Sequence, residues 1–176
     1  FKIFADIDVF DIEINEKDPE KFVQIVKSLE PTFGGINLED IAAPRCFEIE
    51  ERLRKELSIP VMHDDQWGTA TVVLGGLINA LTVTGRGEGK ESTIVINGVG
   101  SAGVATSRLL LAYGFKHIIF CDSQGIIHEG RADLTKEKKE LLEASALHPE
   151  PGTLADAVVG ADVFVGVRSE EHTSEL

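Results

Sequence analysis

The chain has 176 residues, 43% of them hydrophobic and 27% charged, and a formal net charge of −13. That makeup excludes a disordered or fibrous segment and allows one or two globular units with a real core, while the acidic balance offers no basic stripe for nucleic acid or an anionic membrane surface. No apolar run approaches the roughly 20 residues needed to span a bilayer, and the opening residues lack the blocks of a signal peptide, so a soluble cytoplasmic protein without nucleic acid or membrane partners is expected.

The first element predicted is a half-buried strand over 9–14, where Phe10, Ile12 and Ile14 alternate on one side. The chain enters it from Phe1, inside an apolar-rich pattern without an initiator methionine, which reads as the loss of an upstream segment. A helix follows from Pro19: Asp18 is its N-cap, and Phe22, Ile25, Val26 and Leu29 recur at helical spacing until Pro31 ends it. After a short apolar, glycine-rich stretch over 32–37, Pro44 opens a second helix with Phe47, Ile49, Leu53 and Leu57 on its apolar face. A strand is predicted over 58–62, then a helix over 67–83 that is apolar or small on nearly all sides. Three glycines within 85–89 make a loop. The continuation alternates regularly: strand 93–97, glycine turn, helix 101–113, strand 117–121, charged helix 136–146, short helix 154–159, strand 161–167. Such alternation predicts an α/β unit with a parallel sheet and helices on both faces. The last nine residues, 168–176, carry no apolar periodicity and resemble the translation of a sequencing adapter, so they are expected to be a non-native tail and their His172 and glutamates receive no role. Cys46 and Cys121 stand far apart in no metal-like spacing, which fits buried packing in a reducing compartment.

Gly98-Val99-Gly100-Ser101-Ala102-Gly103 lies between a predicted strand and a predicted helix, where a dinucleotide fingerprint belongs. The first glycine permits the tight turn, the second lets backbone approach a pyrophosphate, and the third lets helix and strand pack closely. The alternative is a mere glycine-rich turn. Against it stands Asp122 at the end of the next strand, where an acid binds ribose hydroxyls and favours NAD. Ser123 and Gln124 follow, and neither would repel a 2′-phosphate, so NAD and NADP both remain open.

Two acidic pairs precede the fingerprint: Glu39-Asp40 after the Phe33-Gly34-Gly35 turn, and Asp64-Asp65 after the strand containing Pro60 and Met62. Carboxylates this close repel one another unless a cation holds them, and hard oxygen donors suit Mg2+ or Mn2+. The alternative is that Glu39 and Asp40 favour one helix start and Asp65 caps another.

The sequences around these pairs carry a resemblance. Phe33 through Ile41, Pro44-Arg45-Cys46-Phe47-Glu48-Ile49-Glu50, Pro60 through Ala70, the 97–103 turn and Cys121 through Ile127 together resemble bacterial malic enzymes, over 1–167. The resemblance implies the end of a malic enzyme N-terminal domain over 1–66, followed by an incomplete Rossmann-like NAD(P)-binding domain over 67–167. It implies oxidation of malate at C2 by NAD(P)+ and decarboxylation to pyruvate, with Mg2+ or Mn2+ held by Glu39, Asp40 and Asp65, polarising the 2-oxygen and stabilising the enolate left when CO2 departs. Asp64 would support the acid-base chemistry from behind the ligands, a direct ligand role remaining open. Malate and pyruvate are then the small-molecule partners, and a homo-oligomer is expected.

The chain departs from the family's pattern at Trp67, where His is usual; its expected role is to pack the wall of the site. His63 reads as framework rather than base, and Lys2 as a surface residue. The family's acid-base lysine and tyrosine fall before Phe1, and its malate and nicotinamide asparagines fall after Val167, so the chain alone is expected to be inactive. Rival expectations are a non-catalytic nucleotide-binding or dimerising module, and a malolactic-type decarboxylase. Asn79, Arg86 and His117 are assigned structural roles, and 136–143 a solvated helix face.

Overall fold

The computed structural model describes residues 1–167. Its elements are α1 (Lys2–Ala5), α2 (Pro19–Leu29), a 3-10 turn (Glu30–Thr32), β1 (Ile36–Leu38), α3 (Arg45–Glu56), β2 (Val61–His63), α4 (Asp64–Val83), β3 (Ile94–Asn97), α5 (Ser101–Tyr113), β4 (Ile118–Asp122), β5 (Gly125–Ile126), α6 (Lys136–Ala144), α7 (Leu154–Ala157) and β6 (Val163–Gly166).

The caps explain several boundaries. Asp18 accepts from the Glu20 and Lys21 N–H groups at the start of α2, and Pro19 occupies the first turn, where its missing N–H costs nothing. Thr153 and Asp156 form a reciprocal capping box at α7. In the loop after α4, Gly85, Gly87 and Gly89 all adopt positive φ, which glycine populates without a Cβ penalty.

The predicted strand over 9–14 does not form. Phe10, whose ring lies 6.1 Å from that of Phe33, is 73% exposed and Ile12 47%; Ile14 packs against the core beneath α2 and α3. Alternation describes a half-buried strand only where a neighbour supplies a ladder, and no described strand pairs with this segment. The face of α2 is also rotated from the expectation: Val23 and Val26 are buried, while Ile25 is exposed.

Three cores form. Val23, Val26, Leu38, Ile49, Leu53 and Leu57 join α2 and α3 to the parallel pair β1–β2. A larger core lies under one face of the second sheet, where Leu77 and Leu81 of α4 meet Ile94, Ile96, Leu110, Phe115, Ile118 and Phe120. On the opposite face, Val95, Cys121 and Ile126 pack against Ala157 of α7. Cys46 and Cys121 are both buried free thiols. Helices therefore cover both faces of a sheet whose strand order is β5-β4-β3-β6, parallel except for the short antiparallel β5.

The chain steps from β3 to β4 on one side and returns to β6 on the other. Reversal of direction across a central strand opens a crevice at that strand's carboxyl end, which here is Gly98. The expected domain division at 66/67 falls in the first turn of α4, so this helix belongs to both packing units. No helix among the described residues is long and apolar enough to cross a membrane.

Candidate functional site

The parallel register of β1 and β2 places the acidic pairs. Leu38 lies opposite His63, so Glu39 and Asp64 each stand one residue beyond the paired carboxyl ends, and Asp40 and Asp65 two. Asp40 adopts φ 55, a left-handed conformation costly for a residue with a Cβ, though Asp tolerates it better than most. In that conformation the Asp40 N–H donates to Asp65 Oδ2 at 3.2 Å across the two chain segments.

The helix-start alternative does not describe Glu39 and Asp40, whereas Asp64 and Asp65 do lie in the first turn of α4, where the helix dipole favours them, though neither caps it. Helix α3 begins at Arg45, well past Glu39 and Asp40, and the N-cap of α4 is His63, with no side-chain capping bond. Glu39 instead accepts from Asn37 Nδ2 at 2.8 Å, and Asp65 accepts from the Asp40 backbone. Loss of solvation raises the Glu39 pKa; the Asn37 hydrogen bond offsets part of this, and the nearby charges of Asp64, Asp65 and Asp40 push it further up. The two pairs therefore share one electrostatic neighbourhood.

Their oxygens are not gathered into a cage. Among the described residues no three His, Cys, Asp or Glu side chains form a metal-holding group. Glu39 is turned onto Asn37, and the Asp64 carboxylate lies over Gly68, where an added Cβ would meet Asp64 Oδ1 at 2.3 Å. His63 is fully buried, and neither ring nitrogen has a hydrogen-bond partner among the described residues; its Nε2 faces Asp65 Oδ2 from 3.6 Å. The buried, unpaired imidazole thus stands beside hard oxygen donors of the chemistry that suits a small divalent cation.

Behind the acids lies a group that the sequence reading missed. Glu50 of α3 is only 5% exposed, and its carboxylate accepts from Gln66 Nε2 at 3.1 Å and from Trp67 Nε1 at 2.6 Å. Trp67 is thus a hydrogen-bond donor as well as wall. The i,i+4 spacing of Glu50 and Arg54 is that of an ordinary surface pair and gives no sign of burial; in the structure that pair is stretched to 3.8 Å.

At the second site, Gly98 has φ 103 and its N–H donates to Cys121 O, closing the turn onto β4. A Cβ on Gly103 would fall 1.8 Å from Gly98 O, so only glycine lets α5 approach β3 this closely. Gly100, the N-cap of α5, has open space where its Cβ would point, and the first turn of α5 has neither an acidic residue nor a side-chain cap. Uncapped N–H groups of a helix start beside open space fit a phosphate-bearing ligand. Val99, Ser101 and Ala102 complete the turn, and the residues present fit a dinucleotide.

Asp122 closes β4 as expected, but it is not a free acceptor. Arg131 grips it through two 2.9 Å bonds, Lys138 adds one of 2.7 Å, and the Gln124 N–H another of 2.9 Å. Burial, the largest single influence, pushes the carboxyl up, but these donors outweigh it and hold the pKa at about 2. The same contact corrects the solvated reading of 136–143. Lys136 is indeed exposed, whereas Lys138 is largely buried against Asp122. Ser123 is exposed in the tight turn that follows.

The remaining polar residues hold structure. Asn79 bonds the Gly75 carbonyl, Arg86 pairs with Asp162, His117 contacts the Glu91 carbonyl, and Lys2 pairs with Asp6 and Asp8 at the surface.

Comparison with known proteins agrees with both halves. Residues 10–54 match the family described as "Malic enzyme, N-terminal domain" and residues 67–174 that described as "Malic enzyme, NAD binding domain". The bifunctional malic/malolactic enzyme of Bacillus subtilis is 51% identical over 168 residues, which are 95% of this chain and 41% of that protein. The NADP-dependent malic enzyme of Escherichia coli is 48% identical over 94% of this chain and 22% of its own length. Among solved structures, the NAD-dependent malic enzyme of Thermotoga maritima superposes with a TM-score of 0.86 at 45% identity, over 95% of this chain and 46% of the other. The malic enzyme of Pyrococcus horikoshii gives 0.87 at 43%, over 94% and 40%. The chain thus spans less than half the length of each of these relatives. With the family match extending over more than half of its residues and the fold agreeing throughout, the chain belongs to the malic enzyme family.

Proposed function

We propose that the full-length protein oxidises malate with NAD or NADP and decarboxylates the product to pyruvate, and that this chain supplies the carboxylates for a divalent cation and the seat for the coenzyme. The observation that carries the reading is the register of β1 against β2, which sets Glu39-Asp40 and Asp64-Asp65 side by side. Bound Mg2+ or Mn2+ would supply Lewis acidity toward the substrate's 2-oxygen.

Each residue's part follows from its surroundings. Glu39, Asp40 and Asp65 provide the hard oxygen donors, and the Asp40 N–H fixes one oxygen of Asp65. Glu39, which accepts from Asn37, would have to give up that bond to join the others at a cation. Asp64, resting on Gly68, orients polar groups from behind. The Gly98–Gly103 turn receives the pyrophosphate on the N–H groups of α5, and Asp122 with Ser123 borders the adenosine ribose. The division of labour at 66/67 is kept, with α4 joining the two parts. A homo-oligomer is supported by the apolar side chains Val72 and Val83, exposed at 70% and 86% on α4.

A malolactic outcome is the second reading, favoured by the bifunctional name of the Bacillus subtilis relative. Both are tested by supplying malate, Mn2+ and NAD(P)+ to the full-length protein. The first reading predicts a rise in reduced-coenzyme absorbance with pyruvate as product, lost in Asp65→Ala. Lactate without net reduced coenzyme favours the second reading, and no consumption of malate removes both.

A further inference from the structure

We infer that Glu50 is a positioning residue for the acidic site: its buried carboxylate, through Gln66 and Trp67, fixes the first turn of α4 and thereby the placement of Asp65. The inference rests on the reading of Glu39, Asp40 and Asp65 as cation ligands.

Helix α4 starts without the usual device. Its N-cap, His63, makes no side-chain capping bond, so capping does not set the angle at which the first turn leaves β2. Asp65 is itself 41% exposed on its side chain, yet it lies between residues that are held. His63 is 0% exposed and Gln66 1%. Gln66 and Trp67 both donate to the two oxygens of one carboxylate on the neighbouring helix, Trp67 to Oε1 and Gln66 to Oε2.

A carboxylate is a costly way to join two helices. Among the described residues its one ion-pair partner is Arg54, 3.8 Å away and 58% exposed, so Glu50 gives up solvation largely for neutral donors. An apolar residue would pack α3 on α4 without that cost but would fix neither donor in rotation. What the carboxylate adds is direction: two bonds to consecutive residues pin the helix about its own axis, and the Asp65 carboxylate turns with that axis.

Trp67 is the chain's only tryptophan, so its emission reports on the clamp directly. The test is titration with Mn2+ alone, followed by calorimetry in the parent chain, Glu50→Gln, Trp67→Phe and Trp67→His and by Trp67 emission in the parent and Glu50→Gln, with thermal unfolding measured for each. A Gln at position 50 keeps an acceptor for the indole but sets its NH2 against that of Gln66. We expect Mn2+ affinity to fall about tenfold in Glu50→Gln and Trp67→Phe, the lower end of what outer-shell partners of metal ligands contribute. Trp67→His, which retains a ring N–H donor, should stay within about twofold of the parent. The emission of the parent should change on Mn2+ addition, and that change should shrink in Glu50→Gln. A lowered melting temperature with unchanged Mn2+ affinity in Glu50→Gln and Trp67→Phe means that the clamp is packing only, and overturns the proposal. Should Glu50→Gln fail to fold, the Trp67→Phe and Trp67→His pair decides alone. No Mn2+ heat in the parent instead removes the ligand reading itself, and the clamp's role with it.

Discussion

At Asp122, burial and charge contend at a single carboxyl. Its folded pKa of about 2 lies below the ordinary 3.8, so the stability it contributes is complete above about pH 4 and is lost as pH falls toward 2. The difference corresponds to on the order of 2 kcal/mol. Asp122→Asn should therefore lower the melting temperature at neutral pH by ~5 °C, and by much less near pH 2; calorimetric melting at both pH values checks this. An equal loss at both would mean that Arg131 and Lys138 hold the loop by something other than charge. Asp122 itself was legible in the sequence, because the end of the second strand is a fixed place in this fold. Arg131 and Lys138 were not, since a contact made across a loop has no periodicity to betray it. Trp67 was read as wall because indole is mostly hydrocarbon; its partner lies 17 positions back, beyond any local pattern.

Among the elements, α4 joins the most functions. Its apolar character on nearly all sides was readable and suggested burial on most of them, but the structure buries one face: Leu77 and Leu81 enter the sheet core and the first turn lies against α3, while Val72 and Val83 stay exposed. A helix of 20 residues extends about 30 Å, enough to carry the acidic pair at one end and pack on the nucleotide unit along the rest. Gly68 belongs to the first role. Ala would favour the helix by about 1 kcal/mol, but its Cβ would displace the Asp64 carboxylate. Gly68→Ala should thus keep or raise the melting temperature while lowering turnover of the full-length protein. Loss of stability with turnover intact would contradict the role given to Asp64. Gly103→Ala acts oppositely: the clash is with backbone, so we expect destabilisation of about 2 kcal/mol or more together with loss of NAD(P)+ binding, measured by melting and coenzyme titration. The strand expected over 9–14 shows the limit of pattern at this scale. Alternation sets which side of a strand is apolar, whereas a neighbouring edge decides whether the strand exists.

In the whole molecule, two packing units meet along α4, one ending in paired acids and the other opening on a glycine turn. Alternating strands and helices made the second unit readable from sequence, because a parallel sheet requires the crossovers that produce that rhythm. The first unit was less readable, since β1 and β2 are three-residue strands and their parallel pairing joins segments 25 residues apart. That pairing nonetheless brings the acidic pairs together, and the functional account stands on it. The most direct measurement is calorimetric titration of Mn2+ into the parent chain, Glu39→Ala and Asp65→Ala. The account predicts one site in the parent and none in either variant, with the fold retained in all three by circular dichroism. Equal Mn2+ affinity in all three would contradict it.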